Sequence, residues 1–384
     1  MSKNIVICCD GTGNEYGDNN SNVVNLYQTL VVDGTKQVAY YHPGVGTAGS
    51  PTAGNRVTQW WTKVMGLAFG AGLLGNIADA YRFLMDTYQD GDKVFLFGFS
   101  RGAYTARALA GVLHMYGLLC PGNDGLIPYI IRMYARKSRK AGGMTRTFEV
   151  AEGFKETFCR HCPLHLVGVW DTVSSVGWIW SPLQLPYTAQ NPDMRNGLHA
   201  ISIDERRCYF RNNLWGKALP DHEVQQVWFA GVHSDIGGSY PPDAIGLSQI
   251  TLQWMLYHAV KLELIVDMTK VRKVLGKVPP KPIPPNPLQP INKSLHGFLW
   301  WLLEFLPHSY YNSVTKKKSW RIPLGAPRTI PLGSAFHSTV LEKVNYDPTY
   351  KPTNLPDGWE KHVVPFVEKD WPDGPPWPYL SSRQ

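Results

Sequence analysis

No apolar run in this sequence approaches the roughly 20 residues that a helix needs to cross a bilayer, so no membrane-spanning helix is expected. Met1-Ser2-Lys3-Asn4 leads directly into a strand-like run and lacks the charged and apolar regions of a signal peptide. A cytoplasmic location is expected, with signal-independent export left open. Six cysteines in 384 residues are too few and too scattered for a disulfide framework. Cys8 and Cys9 fall in an apolar run, where thiols act as small hydrophobes. Cys159-Arg160-His161-Cys162 is a lone C-x-x-C without a second pair at zinc spacing, so no structural metal is expected. Asp10-Gly11-Thr12-Gly13-Asn14 has the look of a phosphate loop but lacks the Walker lysine and the full dinucleotide fingerprint. No cofactor is expected. There is no internal repeat.

What is present is ample core material, with 43% hydrophobic residues, 14 Trp and 19 Tyr. Thirty prolines and 36 glycines imply many loops on one elaborated domain over residues 1–384. The net charge of +8 favours anionic partners without choosing among them. A peripheral anionic membrane contact fits it; nothing specific points to nucleic acid, and none is expected. The cluster Arg132, Arg136, Lys137, Arg139, Lys140, Arg146 and the run Lys316-Lys317-Lys318 read as solvated surface.

Short apolar runs at Asn4–Cys9, Gln37–Tyr41, Val94–Phe97, Leu164–Val169 and Val224–Val232 alternate with helical stretches near Gly75–Tyr88 and Leu247–Leu264. This alternation predicts an α/β fold: a mostly parallel sheet with helices on both faces. Active-site residues of such folds collect at the carboxyl ends of strands, where Asp10, Ser100, Asp171 and His233 all fall. Residues 121–163 read as a helical excursion. Residues 270–330 read as a Pro-rich and aromatic insertion. Within it, Leu295–Leu306 is rich in Trp, Phe and Leu and suits a lid, a membrane-interface segment or a buried capping helix.

Gly98-Phe99-Ser100-Arg101-Gly102 sits between an apolar strand and a helix-like run, the setting of a nucleophile elbow. The chain order Ser100, Asp171, His233 is that of elbow hydrolases. Asp171 would orient the imidazole, and His233 would take the Ser100 proton and return it to the leaving alcohol. Asp235 with His337 is the alternative acid and base. The oxyanion would need two backbone donors, for which Arg101 N–H and Gly11 or Thr12 are best placed. Asp10 is suited to brace that loop. Arg107 reads as a salt bridge to a neighbouring loop, and Asp204-Glu205-Arg206-Arg207 as a surface or helix-start charge network.

Taken together, Asp10–Asn14, Gly98–Tyr104, Val169–Val173, Ile203–Arg207 and Trp228–Gly238 resemble the uncharacterised-domain α/β-hydrolase family (DUF2235). That family includes the type VI secretion phospholipase effectors of the first lipase class. The resemblance implies an α/β-hydrolase core, a Ser-Asp-His triad and hydrolysis of phospholipid acyl esters. It covers most of residues 4–240 and weakens from about 270 onward. The chain is also shorter than the secreted effectors and shows no large membrane-anchoring domain, so the phospholipid substrate and the secretion route transfer less well than fold and triad. The expectation is a serine ester hydrolase acting on lipid-like substrates. A general carboxylesterase and a non-catalytic binding protein on a hydrolase fold are the alternatives. Oligomeric state is left undetermined.

Overall fold

The computed structural model describes residues 2–11, 17–44, 69–135, 143–173, 177–178, 181–182, 185–276, 284–312 and 317–365. Eight strands build the central sheet: β1 (Asn4–Cys9), β2 (Gln37–His42), β3 (Lys93–Phe99), β4 (Leu164–Trp170), β5 (Met194–Ser202), β6 (Glu223–Phe229), β7 (Ala335–His337) and β8 (Val363–Val364). Their spatial order is β8-β7-β6-β5-β4-β3-β1-β2, and every neighbouring pair runs parallel. The fold is that of an α/β-hydrolase-like protein.

Ten helices accompany the sheet among the described residues: α1 (Asn22–Thr29), α2 (Phe69–Thr87), α3 (Arg101–Tyr116), α4 (Ile127–Ala135), α5 (Gly143–Phe158), α6 (His233–Gly237), α7 (Gly246–Lys261), α8 (Met268–Val274), α9 (Phe298–Glu304) and α10 (Ser338–Tyr346). A parallel sheet covered on both faces needs apolar side chains on both sides of its central strands. β1 shows how. Ile5, Ile7 and Cys9 point into a core shared with α2 to α5, while Val6 and Cys8 point into a second core shared with α1, α7 and α8. β3 divides in the same way, with Val94 and Leu96 on one side and Phe95, Phe97 and Phe99 on the other.

The strand order reverses between β1 and β3, and sheets of this kind place their ligand sites at the carboxyl ends of the strands at such a switch point. Asp10 follows β1 there, and Ser100 follows β3. The insertion contributes α9 and an antiparallel hairpin, His308–Asn312 with Lys317–Arg321. Its proline run at 279–283 lies outside the described residues, while Pro284, Pro285 and Pro287 lie within them. No helix among the described residues is long and apolar enough to cross a membrane.

Candidate active site

Ser100 joins β3 to α3 in a conformation that side chains rarely adopt, with φ 59° and ψ −120°. The flanking glycines make the turn feasible. A Cβ on Gly98 would lie 2.5 Å from the Gly102 carbonyl, and one on Gly102 would strike the Cys9 and Asp10 backbone. Ser100 N–H donates to the Trp170 carbonyl at 3.1 Å, tying the turn to the end of β4.

Three side chains converge at this point. His233 Nε2 lies 2.9 Å from Ser100 Oγ, and His233 Nδ1 lies 2.5 Å from Asp171 Oδ2. All three residues are buried. The His233 ring sits between Phe99 and Phe210, each with its centroid 4.7 Å away. Asp171 also carries a positive φ of 38°, and its N–H is held by the Ala200 carbonyl of β5 at 2.8 Å.

Two further groups anchor these three side chains: Arg328, which has no local signal in the sequence, and Glu205, whose segment resembles the family but reads as surface charge. Arg328 reaches Asp171 with both terminal nitrogens, Nη1 to Oδ1 at 2.6 Å and Nη2 to Oδ2 at 3.0 Å. Glu205 lies beneath the histidine and accepts from its N–H at 3.2 Å. Glu205 also accepts from the Arg206 and Arg207 N–H groups, the Arg207 guanidinium and Ser294 Oγ. The segment 204–207 is therefore not a surface charge network. Glu205 is fully buried, because backbone donors and Arg207 replace the water it gives up.

The electrostatics follow from these contacts. Burial alone would raise Asp171, but Arg328 and His233 outweigh it and hold the carboxyl well below the usual range. Burial pushes His233 down despite the Asp171 bond, so the neutral imidazole is favoured. A neutral imidazole beside a serine can accept a proton.

The other candidates sit in other networks. Asp235 accepts from Val232 N–H and from Asn292 at its backbone and side chain. His337 stacks on Phe229 at 4.7 Å and faces Thr339 Oγ1 at 2.8 Å. Burial pushes it down to about 3. Arg101 opens α3, and burial pushes its guanidinium down to about 10. Gly11 N–H donates to Asp10 Oδ1 at 2.6 Å, while Asp10 Oδ2 accepts from Ser21 and Tyr41. Thr12 lies outside the described residues. Among the described residues Arg107 pairs with no carboxylate, so the expected salt bridge is not formed there. It donates to the Thr188 and Asn213 carbonyls and lies over Trp215. Cys159 and Cys162 are free thiols.

A cavity of about 550 Å³ is lined in part by Asp204, Arg206, Val232, Asn292, Trp301 and Tyr350. Ser100, Asp171 and His233 are not in its wall.

A family model described as the type VI secretion system phospholipase effector Tle1-like catalytic domain matches residues 3–258. The uncharacterized protein YEL023C of Saccharomyces cerevisiae is 34% identical over 219 residues, covering 54% of this chain. The chain spans 32% of that relative's length. Two solved structures are similar at 18% identity. An uncharacterized protein from Pseudomonas aeruginosa gives a TM-score of 0.41, covering 71% of this chain and 47% of that one. The Tle1 effector bound to the VgrG spike of the type VI secretion system gives 0.34, covering 64% and 53%.

Proposed function

Because the chain belongs to the Tle1-like phospholipase effector catalytic-domain family, we propose that it is a serine hydrolase of lipid carboxylic esters, with Ser100 as nucleophile, His233 as general base and Asp171 as the orienting acid. The observation that carries this reading is the unbroken relay from Ser100 Oγ through the His233 ring to Asp171, with bonds of 2.9 and 2.5 Å.

In the first half-reaction His233 Nε2 takes the Ser100 proton as Oγ attacks the acyl carbonyl carbon. Asp171 stays ionised and stabilises the imidazolium. The tetrahedral oxyanion is received by the Arg101 N–H at the start of α3, where the helix dipole also favours negative charge. Gly11 N–H becomes the second donor by exchanging its bond to Asp10 Oδ1. The tetrahedral species collapses as His233 protonates the leaving alcohol, which gives an acyl-serine. A water activated by the same imidazole then releases the acid. The strained φ of Ser100 serves this chemistry by lifting Oγ out of helical capping geometry; no helix-capping bond from its side chain is formed.

The insertion over residues 270–330 is read as a lid or membrane-facing cap. Phe298, Trp301, Leu302 and Phe305 of α9 and its C-terminal end are exposed, as are Trp320, Ile322 and Leu324 beside the hairpin. An anionic membrane surface is the partner that such a face fits. Export as an effector belongs with the same reading.

The test is labelling with a fluorophosphonate probe. Ser100→Ala should abolish labelling, and His233→Ala and Asp171→Asn should slow it by about a thousandfold or more. His337→Ala should label like the wild type. Labelling that survives in Ser100→Ala would remove the serine mechanism. Loss in His337→Ala with retention in His233→Ala would move the base. Hydrolysis of short soluble esters without hydrolysis of phospholipid vesicles would make the protein a general carboxylesterase.

A further inference from the structure

We infer that Arg328 is a positioning residue of this site, gripping Asp171 through both carboxylate oxygens and thereby fixing how the acid meets His233. The inference rests on the serine-hydrolase reading above. Arg328 is nearly buried and comes from the loop after the hairpin, far beyond residue 258, where the family model ends. The segment after 270 therefore completes the catalytic core as well as covering it.

The geometry is specific. A guanidinium donates through a rigid planar fork, and two parallel bonds to one carboxylate fix its plane. Here the bonds are 2.6 and 3.0 Å, and Nη1 also donates to Ser202 Oγ at 2.8 Å. The same guanidinium donates to the Phe210 carbonyl through Nε and Nη2. The Phe210 ring meets the His233 ring edge-on. One side chain thus holds both the acid and an aromatic wall of the base.

This arrangement has an electrostatic consequence. A carboxylate shared with a cation gives the imidazolium less stabilisation than an unshared one. The charged and titratable groups around His233 are Asp171 at the end of β4, Glu205 and Arg207 after β5, Asp235 on its own helix and Arg328 beyond Asp171. His199 lies near Asp171 and is pushed down to about 3 by burial and Arg107, so it is neutral. Of these, Arg328 is the cation bonded to the acid itself.

The experiment compares kcat/KM against pH for a soluble p-nitrophenyl ester in the full chain, Arg328→Gln and Arg328→Lys, with Ser100→Ala as control. Arg328→Gln removes the charge. Its acid limb should rise by about one pH unit, which is about a tenfold loss on the acidic side, and kcat should fall. Arg328→Lys keeps the charge but not the fork. Its acid limb should stay in place while kcat falls about tenfold, with KM little changed. If Arg328→Gln does not fold, the kcat of Arg328→Lys decides. Either folded variant keeping wild-type kcat and acid limb would overturn the inference, as would an activity loss in Arg328→Gln that tracks Tm with no change in its pH profile. Hydrolysis persisting in Ser100→Ala would instead overturn the serine reading, and this inference with it.

Discussion

Asp204 and Glu205 are adjacent in sequence yet have opposite acidities. Burial would raise both. In Glu205, Arg207 outweighs burial and takes the carboxyl down to about 2. Among the described residues Asp204 has no cation bonded to it and feels Lys343 only weakly: burial prevails over Gly231 N–H, Tyr350 Oη and Lys343 and lifts it to about 7. The raised carboxyl binds its proton more tightly in the folded chain than in the unfolded one. Its contribution to stability is therefore fully present below its ordinary range and lost as pH rises through about 7. Asp204→Asn should remove that loss, because the amide oxygen can still accept from Gly231 and Tyr350. Relative to wild type it should be stabilised on the order of 3 to 4 kcal/mol at about pH 8, by on the order of 1 kcal/mol at about pH 5, and little changed only at about pH 4 and below. Thermal denaturation at these pH values checks this; an equal effect at all of them would refute it. Asp235, raised to about 6 by burial, leaves a residual slope of the same sign. Ser100, Asp171 and His233 are legible as candidates in the sequence because each directly follows an apolar run, and parallel sheets gather polar side chains at such ends. Arg328 was not legible, since its partner lies 157 residues away and a single arginine in a loop has no periodic signal. Glu205 was hidden by its neighbours, because four consecutive charged residues look like surface until their backbone donors are counted.

At the scale of elements, the turn after β3 depends on close backbone approach. Gly102 lies against the Cys9 and Asp10 backbone, so a methyl group there cannot be accommodated by moving a side chain. Gly102→Ala should therefore push α3 away from β1 and cost roughly 3 kcal/mol, at the upper end of overpacking penalties. It should also displace the Arg101 N–H proposed to receive the oxyanion. The check is Tm together with probe labelling of Ser100; a variant with wild-type values of both would show that the turn has slack. The same elements mark where sequence reading succeeds and fails. β1, β3 and β4 are legible because each is built on a short apolar run, broken by a polar side chain only at His165 in β4 and at the first residues Asn4 and Lys93. β5, Met194–Ser202, is not, because Arg195, Asn196, Gly197 and His199 interrupt the run. In the fold these polar groups find partners: Asn196 donates to the His165 carbonyl, and His199 Nε2 accepts from Thr172 N–H. β7 and β8 have three and two residues, too short for any alternating pattern.

At the scale of the whole molecule, the insertion places an exposed apolar face close to the proposed catalytic centre. α9 buries Leu303 and Glu304 and leaves Phe298 79% exposed, with Phe305 58% and Trp320 60% exposed nearby. Glu304 ties the two parts together: its carbonyl accepts from Leu324 N–H, and its carboxylate from Gly325 and Cys208. From α9 an aromatic series runs inward, Trp300 against Phe210 at 5.8 Å and Phe210 against His233 at 4.7 Å, with Arg207 over both Phe210 and Trp300. A surface that engages this face would thus lie a few side chains from the base. Lys293 and Arg321, just before α9 and at the end of the hairpin in sequence, are exposed in a chain of net charge +8. Large aromatic side chains with basic residues at their margin suit an anionic bilayer, where the rings enter the acyl boundary and the cations remain at the headgroups. Wild-type protein should therefore sediment with phosphatidylglycerol vesicles more strongly than with phosphatidylcholine vesicles, and salt of about 0.5 M should reduce the difference. Replacing Phe298, Phe305 and Trp320 together with serine should weaken vesicle binding about tenfold or more, given the apolar area withdrawn from the bilayer. Equal sedimentation of the triple variant and the wild type would show that the membrane, if it is the substrate surface, is met through another face. Binding indifferent to lipid charge would instead leave the aromatic rings as the anchor and remove the basic margin from the account.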